Sequence, residues 1–209
     1  MKYIFVAGAP GSKWSSVVKN IYYSPSIDNS DYSEARTYYH DASGTMQLMH
    51  LGAYFDPGME FALPENISSL SKESLEKIFD SAFDENEKGI RIVKSHIFCY
   101  EDNIKYLKET FPDCPIVLVY RDNDSCLGWW VRCGHFNITY PSYDWYYVDL
   151  KKMANIIDRQ NKDLLSVWDN YKGSEVWSNI RLCMIMGIEN PPPQYTQNYM
   201  EHDIKVKVI

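Results

Sequence analysis

Glycine, serine and lysine residues follow the first apolar run of the chain in a combination that suits phosphate binding. Gly8-Ala-Pro-Gly-Ser-Lys13 stands between Ile4–Ala7, which predicts a buried strand, and Trp14–Ile21, which predicts a helix. In such a loop, backbone N–H groups and the positive end of the helix face one anion, and lysine adds a charge. Lys13 comes five residues after Gly8, so the spacing differs from the nucleotide-kinase motif. The alternative is an ordinary Gly-Pro turn.

Two later strands also end in residues that could do chemistry. Ile90–Lys94 is followed directly by Ser-His96, and Pro115–Tyr120 is followed by Arg121. In an open parallel sheet, ligands bind beyond the carboxyl ends of the strands, so all these groups are expected on one rim. Two lysines, an arginine and a loop of amides would hold several negative charges there. His96 would lie within reach to move a proton. A structural histidine at a strand end and a surface arginine ion pair are the alternatives.

The elements that must position these residues alternate between strands and helices. This order predicts an α/β fold of the P-loop type, with a central, mainly parallel sheet flanked by helices in three layers. We expect one domain over residues 1–209, in which 22–70 and 138–209 are loops and helical additions that cover the site. A short helix is possible at Ser33–Tyr39. The further helices are expected to begin at Ser71 and to span Tyr100–Phe111, Ser125–Cys133, Asp149–Tyr171 and Val176–Met186.

Two finer expectations concern the second half of the chain. The core stripe of the helix over Asp149–Tyr171 is expected to consist of Met153, Ile156, Ile157, Leu164, Leu165 and Trp168. The alternating segment Asp203–Ile209 is expected to form a short edge strand or an ordered tail.

Composition limits the classes of partner. The 209 residues carry a net charge of −7, which argues against nucleic acid. The five cysteines include no Cys-x-x-Cys pair, so reduced thiols in a cytoplasmic setting are expected. No signal peptide and no apolar run of membrane-spanning length is recognisable, and no membrane partner is expected. A metal site is not expected either, because the histidines show no paired ligand spacing: His40, His50, His96, His135 and His202.

In order and approximate spacing, three motifs resemble those of the PAPS-dependent sulfotransferases, a P-loop-containing family. They are the early loop, Lys94-Ser-His96 and the strand ending in Arg121, and the likeness covers residues 2–21 and 90–136. The family's loop reads Pro-(Lys/Arg)-Ser-Gly-Thr, whereas this chain has Pro10-Gly-Ser-Lys-Trp14. Trp129 stands where the family has a serine, and the family's C-terminal Arg-Lys-Gly segment is not recognisable.

The resemblance implies a role for each matching residue. Lys94 would contact the sulfuryl group, His96 would be the general base, and Lys13 would assist catalysis. Arg121 would hold the 3′-phosphate, with Ser125 in place of the missing serine. The 5′-phosphosulfate loop would consist of Pro10, Gly11, Ser12 and Lys13, and Trp14 and Ser15 would also bind the cofactor.

The implied reaction moves a sulfuryl group from PAPS to a hydroxyl or amine of a small acceptor, without metal, and leaves PAP. Preorganised amides and lysines can stabilise the charge that develops on the leaving phosphate. The site of the unknown acceptor could be walled by Tyr140, Tyr143, Trp145, Tyr146 and Tyr147. Two other functions stay open. One is a non-catalytic sulfotransferase-like nucleotide-binding protein, and the other is a P-loop kinase, which would need Mg²⁺ ligands that the motifs do not supply.

Overall fold

The computed structural model describes residues 1–31, 37–38, 47–48, 51–57, 61–132, 146–189 and 203–209. Only Thr37–Tyr38 of the possible helix at Ser33–Tyr39 is described, and these two residues form a strand instead. Tyr140, Tyr143 and Trp145 lie outside the described residues.

The described chain alternates between short strands and helices. The strands are β1 (Tyr3–Gly8), β2 (Ile27–Asp28), β3 (Thr37–Tyr38), β4 (Gln47–Leu48), β5 (Ala53–Tyr54), β6 (Ile90–Ser95), β7 (Ile116–Tyr120), β8 (Ser174–Val176) and β9 (Lys205–Val208). The α-helices are α1 (Trp14–Tyr22), α2 (Lys72–Asp80), α3 (Glu101–Thr110), α4 (Asn123–Arg132), α5 (Leu150–Asn170) and α6 (Asn179–Met186). Short 3-10 helices cover Ile67–Ser69 and His96–Cys99.

Most strands belong to one central sheet, in the order β2-β6-β1-β7-β9-β8. β1 lies between β6 and β7 and is parallel to both. β2 and β5 pair in parallel with the beginning and the end of β6, and β9 runs antiparallel to both of its neighbours. The prediction of a mixed α/β fold with a mainly parallel central sheet is therefore confirmed.

Helices cover both faces of this sheet because β1 is apolar on both sides. Ile4 and Val6 share one buried core with residues of α1, α4 and α6. Tyr3, Phe5 and Ala7 face the other way and share a second core with residues of α2 and α3. Every residue of β1 is buried, as expected for the middle strand of a parallel sheet.

The C-terminal part of the chain corrects two expectations. Val176 is not helical, because Ser174–Val176 pairs with β9. The Ser178 hydroxyl accepts from Arg181 N–H at 3.2 Å and caps α6, which begins at Asn179, three residues later than expected. β9 is not an edge strand, because β8 covers its outer side. The alternation of Asp203–Ile209 shows a strand but carries no information about its neighbours.

The long helix α5 lies across the end of the sheet that carries the predicted site. Its Asp149 cap accepts from Lys152 N–H at 2.8 Å. It contributes Met153 and Ile157 to the first core, and it also contacts the 3-10 helix at His96–Cys99. Leu165 is 38% exposed, so its predicted place in the core stripe is wrong. In the described part of the chain, no helix is both long and apolar enough to cross a membrane.

Candidate functional site

The carboxyl ends of β6, β1 and β7 meet on one rim, as expected for neighbouring parallel strands. After β1 the chain enters α1 on one face of the sheet, whereas after β6 it enters α3 on the opposite face. Adjacent strands that diverge in this way leave a crevice between them, where open α/β sheets usually bind ligands. The loop after β1 and the Ser95–Cys99 segment after β6 lie on either side of this position on the rim.

The loop Gly8–Lys13 is held by its own turn and by α4. Ser12 N–H donates to Ala9 O at 2.9 Å. Gly11 has φ +83° and lies so close to α4 that a Cβ there would be 2.0 Å from the carbonyl oxygen of Cys126. Only glycine fits this position, since any side chain would meet backbone.

Ser12 contributes a buried hydroxyl to the inside of the loop. The residue is 1% exposed, and a Cβ placed on Gly8 would lie 2.6 Å from Ser12 Oγ. No residue in the described part of the chain forms a hydrogen bond with Oγ. Because buried hydroxyls nearly always have a partner, this hydroxyl is a candidate donor to a ligand.

Lys13 begins α1 in a left-handed conformation, with φ 59° and ψ 30°. This conformation is strained for a residue that carries a Cβ, and such strain concentrates at functional sites. Its ammonium nitrogen lies 4.1 Å from the ring centre of Trp129 on α4. Pro10 and Trp14 are buried and Ser15 is half-buried.

Lys94 and His96 are brought next to the loop, as predicted. His96 Nδ1 lies 2.5 Å from the carbonyl oxygen of Gly8. A carbonyl can only accept, so Nδ1 carries the proton and Nε2 is the proton-accepting nitrogen of the ring. The Trp14 ring stacks on the imidazole at 4.0 Å and 5°. Lys94 is fully buried, with Nζ 5.5 Å from the Trp14 ring centre.

Arg121 also reaches the rim, but it is bound to protein groups there. Its Nε donates to Asp203 Oδ2 at 2.6 Å, and Nη1 donates to Gly11 O at 3.1 Å. The guanidinium thus connects the loop to the segment before β9, and the Asp203 carboxylate neutralises its charge. Ser125 N–H donates to Asp122 Oδ1 at 2.9 Å, so this residue takes part in the start of α4.

A buried carboxylate that the sequence analysis missed lies beside His96. Asp56 is fully buried and accepts hydrogen bonds from Tyr147 Oη at 2.6 Å, Ser95 Oγ at 2.9 Å, Tyr54 Oη at 3.1 Å and Ile97 N at 3.4 Å. Burial raises the pKa of Asp56 to about 6, although these hydrogen bonds act in the opposite direction. The one signal in the sequence was a polar residue directly after the short apolar run Ala53-Tyr-Phe.

Of the aromatic residues expected to wall an acceptor site, the structure describes two. Tyr147 is buried and donates a hydrogen bond to Asp56. Tyr146 packs against Tyr147, with ring centres 4.9 Å apart. Among the described residues, no group of three or more His, Cys, Asp or Glu side chains converges as metal ligands would.

No protein-family model matches this chain, and no curated protein or solved structure matches it significantly. Function is therefore inferred from the geometry of this site.

Proposed function

We propose that this chain is a PAPS-dependent sulfotransferase with a P-loop-type fold, which acts on a hydroxyl or amine of a small acceptor. The observation that carries the proposal is the meeting of two groups at one place on the rim of the sheet. One is the loop with its buried Ser12 hydroxyl at the start of α1, and the other is His96, bonded through Nδ1 to Gly8. An anion site next to a histidine base is the combination that sulfuryl transfer requires.

The loop residues would hold the phosphosulfate end of the cofactor. The unpartnered Ser12 hydroxyl and the N–H groups at the start of α1 are donors, which suits an anion with several oxygens. Lys13 would add its charge after leaving the Trp129 ring. PAPS, when bound, supplies the sulfuryl group, and Lys94 would stabilise negative charge beside it.

His96 would take the proton of the acceptor. Because Nδ1 donates to Gly8, Nε2 carries the lone pair that a base needs. The stacked Trp14 ring holds the imidazole plane in place, so the base is oriented before the acceptor arrives.

A specific observation favours a second candidate, a non-catalytic sulfotransferase-like nucleotide-binding protein. Arg121, the proposed 3′-phosphate clamp, is ion-paired with Asp203, so a phosphate would have to displace that carboxylate. His96 is only 4% exposed and Lys94 is not exposed at all, whereas a transferase must bring both to its reactants. A protein that binds PAP and transfers no sulfuryl group would fit these contacts.

Transfer of radioactive sulfate from PAPS to a panel of phenols, alcohols and amines separates the two candidates. For a sulfotransferase, His96→Ala should bind PAP as well as the parent and turn over about 10²-fold more slowly. Lys94→Ala should lose both affinity and rate, and the exposed Lys105→Ala serves as its matched control. PAP binding without transfer to any acceptor would support the second candidate. Full turnover in His96→Ala would refute the role of the base.

A further inference from the structure

Asp56 forms hydrogen bonds with the residues directly before and after His96 and with two tyrosines near its imidazole. Asp56 Oδ1 accepts from Ser95 Oγ at 2.9 Å and from Ile97 N at 3.4 Å. These are the residues directly before and after His96. One carboxylate oxygen therefore binds the Ser95 hydroxyl on one side of the histidine and the Ile97 N–H on the other, at the point where β6 passes into the 3-10 helix.

The other carboxylate oxygen, Oδ2, binds two tyrosines near the imidazole. Oδ2 accepts from Tyr54 Oη at 3.1 Å, and the Tyr54 ring meets the His96 ring edge to face at 5.3 Å and 76°. Oδ2 also accepts from Tyr147 Oη at 2.6 Å. The Tyr147 ring lies 5.3 Å from that of Trp130, which in turn lies 6.5 Å from His96.

We infer that Asp56 is a positioning residue, which holds the His96 imidazole in its bond to Gly8 through Tyr54 and Tyr147 and through the neighbouring residues Ser95 and Ile97. The inference rests on the proposed function only in naming His96 as the base. It adds a residue that no sequence motif indicated, placed by the two-residue strand β5 beside the end of β6.

The charge state of Asp56 should control this arrangement. The ionised carboxylate can accept all four hydrogen bonds, whereas the protonated form must use one oxygen as a donor. Since burial raises its pKa to about 6, the change falls within the range in which enzymes are assayed. The groups that face Asp56 from the surrounding elements are Tyr54, Ser95, Cys99, Tyr146, Tyr147 and the Ile97 N–H.

Asp56→Asn is the informative change, because asparagine has nearly the same shape. Its carbonyl oxygen can still accept from Ser95 and Ile97, and its NH₂ group can donate to hydroxyls that turn to accept. Asp56→Ala would leave several buried donors unpartnered, which destabilises the fold, so Tyr147→Phe is the second variant. Tyr22→Phe is the matched control, since Tyr22 also donates to a buried carboxylate, that of Asp31, at 2.8 Å.

The experiment is nuclear magnetic resonance of ¹⁵N-labelled imidazoles, with His96 assigned by its substitution. In the parent, His96 should show a protonated Nδ1 whose hydrogen exchanges slowly. In Asp56→Asn the ¹⁵N signals of His96 should move, and Nδ1–H exchange should become about tenfold faster. Tyr147→Phe should change exchange in the same direction by less, and Tyr22→Phe should change neither signal.

His96 signals and exchange that are identical in the parent, Asp56→Asn and Tyr147→Phe would overturn the inference. PAP affinity and sulfuryl transfer, measured on the same proteins, report separately on the proposed function. If the parent fails to bind PAP while the His96 signals respond to Asp56, the proposed function fails and the positioning role stands. If the signals do not respond, the positioning role is wrong whatever the turnover.

Discussion

Replacing Asp56 with Asn should remove a pH-dependent part of the free energy of unfolding. In the native protein this carboxylate is fully buried, and burial raises its pKa from the ordinary value of 3.8 to about 6. The native state therefore holds the Asp56 proton more tightly than the unfolded chain does. The stability from this proton is fully present below pH 3.8 and is lost as the pH rises through about 6.

The size of the effect follows from the two pKa values. Each pKa unit corresponds to about 1.36 kcal/mol, so the whole difference is about 3 kcal/mol. Between pH 7 and pH 5, the range that is convenient to measure, the same linkage relation gives about 1.3 kcal/mol. Acidification over this range should stabilise the parent relative to Asp56→Asn by about that amount.

Urea unfolding at pH 5 and pH 7, followed by circular dichroism, measures this difference. Titrating groups distant from Asp56 contribute equally to both proteins and cancel when the two are compared. Asp84→Asn is the control, because hydrogen bonds from Asn86 hold the pKa of Asp84 below its ordinary value and keep it ionised over this range. An equal pH dependence in the parent and Asp56→Asn would refute the assignment of a raised pKa to this buried group.

Three further substitutions test the loop and its surroundings. Asp203→Asn should strengthen PAP binding about tenfold in calorimetry, because it removes the carboxylate that competes for Arg121. Unchanged affinity would show that Arg121 is not the phosphate clamp. Lys13→Gly and Lys13→Ala should both bind PAP more weakly, but the glycine variant should be roughly 1 kcal/mol more stable to urea, because φ is 59°. Equal stability would argue against strain there. Gly11→Ala should lose at least about 2 kcal/mol in thermal unfolding, because its Cβ would meet the Cys126 carbonyl; an unchanged melting temperature would contradict this contact.

The sheet centre could be predicted because its strands are long and apolar. β1 and β7 are continuous apolar runs, and β6 is apolar at alternate positions before Lys94. Such runs predict strands from the local sequence alone. Because parallel strands end on one rim, the sequence also predicted that His96 and the loop lie close together.

The groups around that rim could not be predicted because long-range contacts decide them. β5 has two residues, too few for periodicity, yet its pairing with β6 carries Asp56 to His96. Arg121 was expected to face a ligand, but it binds Asp203, which is 82 residues later in the chain. No local sequence pattern indicates such a partner. The basic residues of the rim could therefore be predicted from the sequence, but the groups that they bind could not.

The most direct test of the central claim is a thermal-shift comparison of PAP with ATP and Mg²⁺. A ligand that binds only the native state raises the melting temperature by mass action. PAP should raise it in the parent, ATP with Mg²⁺ should raise it less, and Lys13→Gly should weaken the PAP response. A Mg²⁺-dependent shift with ATP and none with PAP would contradict a site built for PAPS.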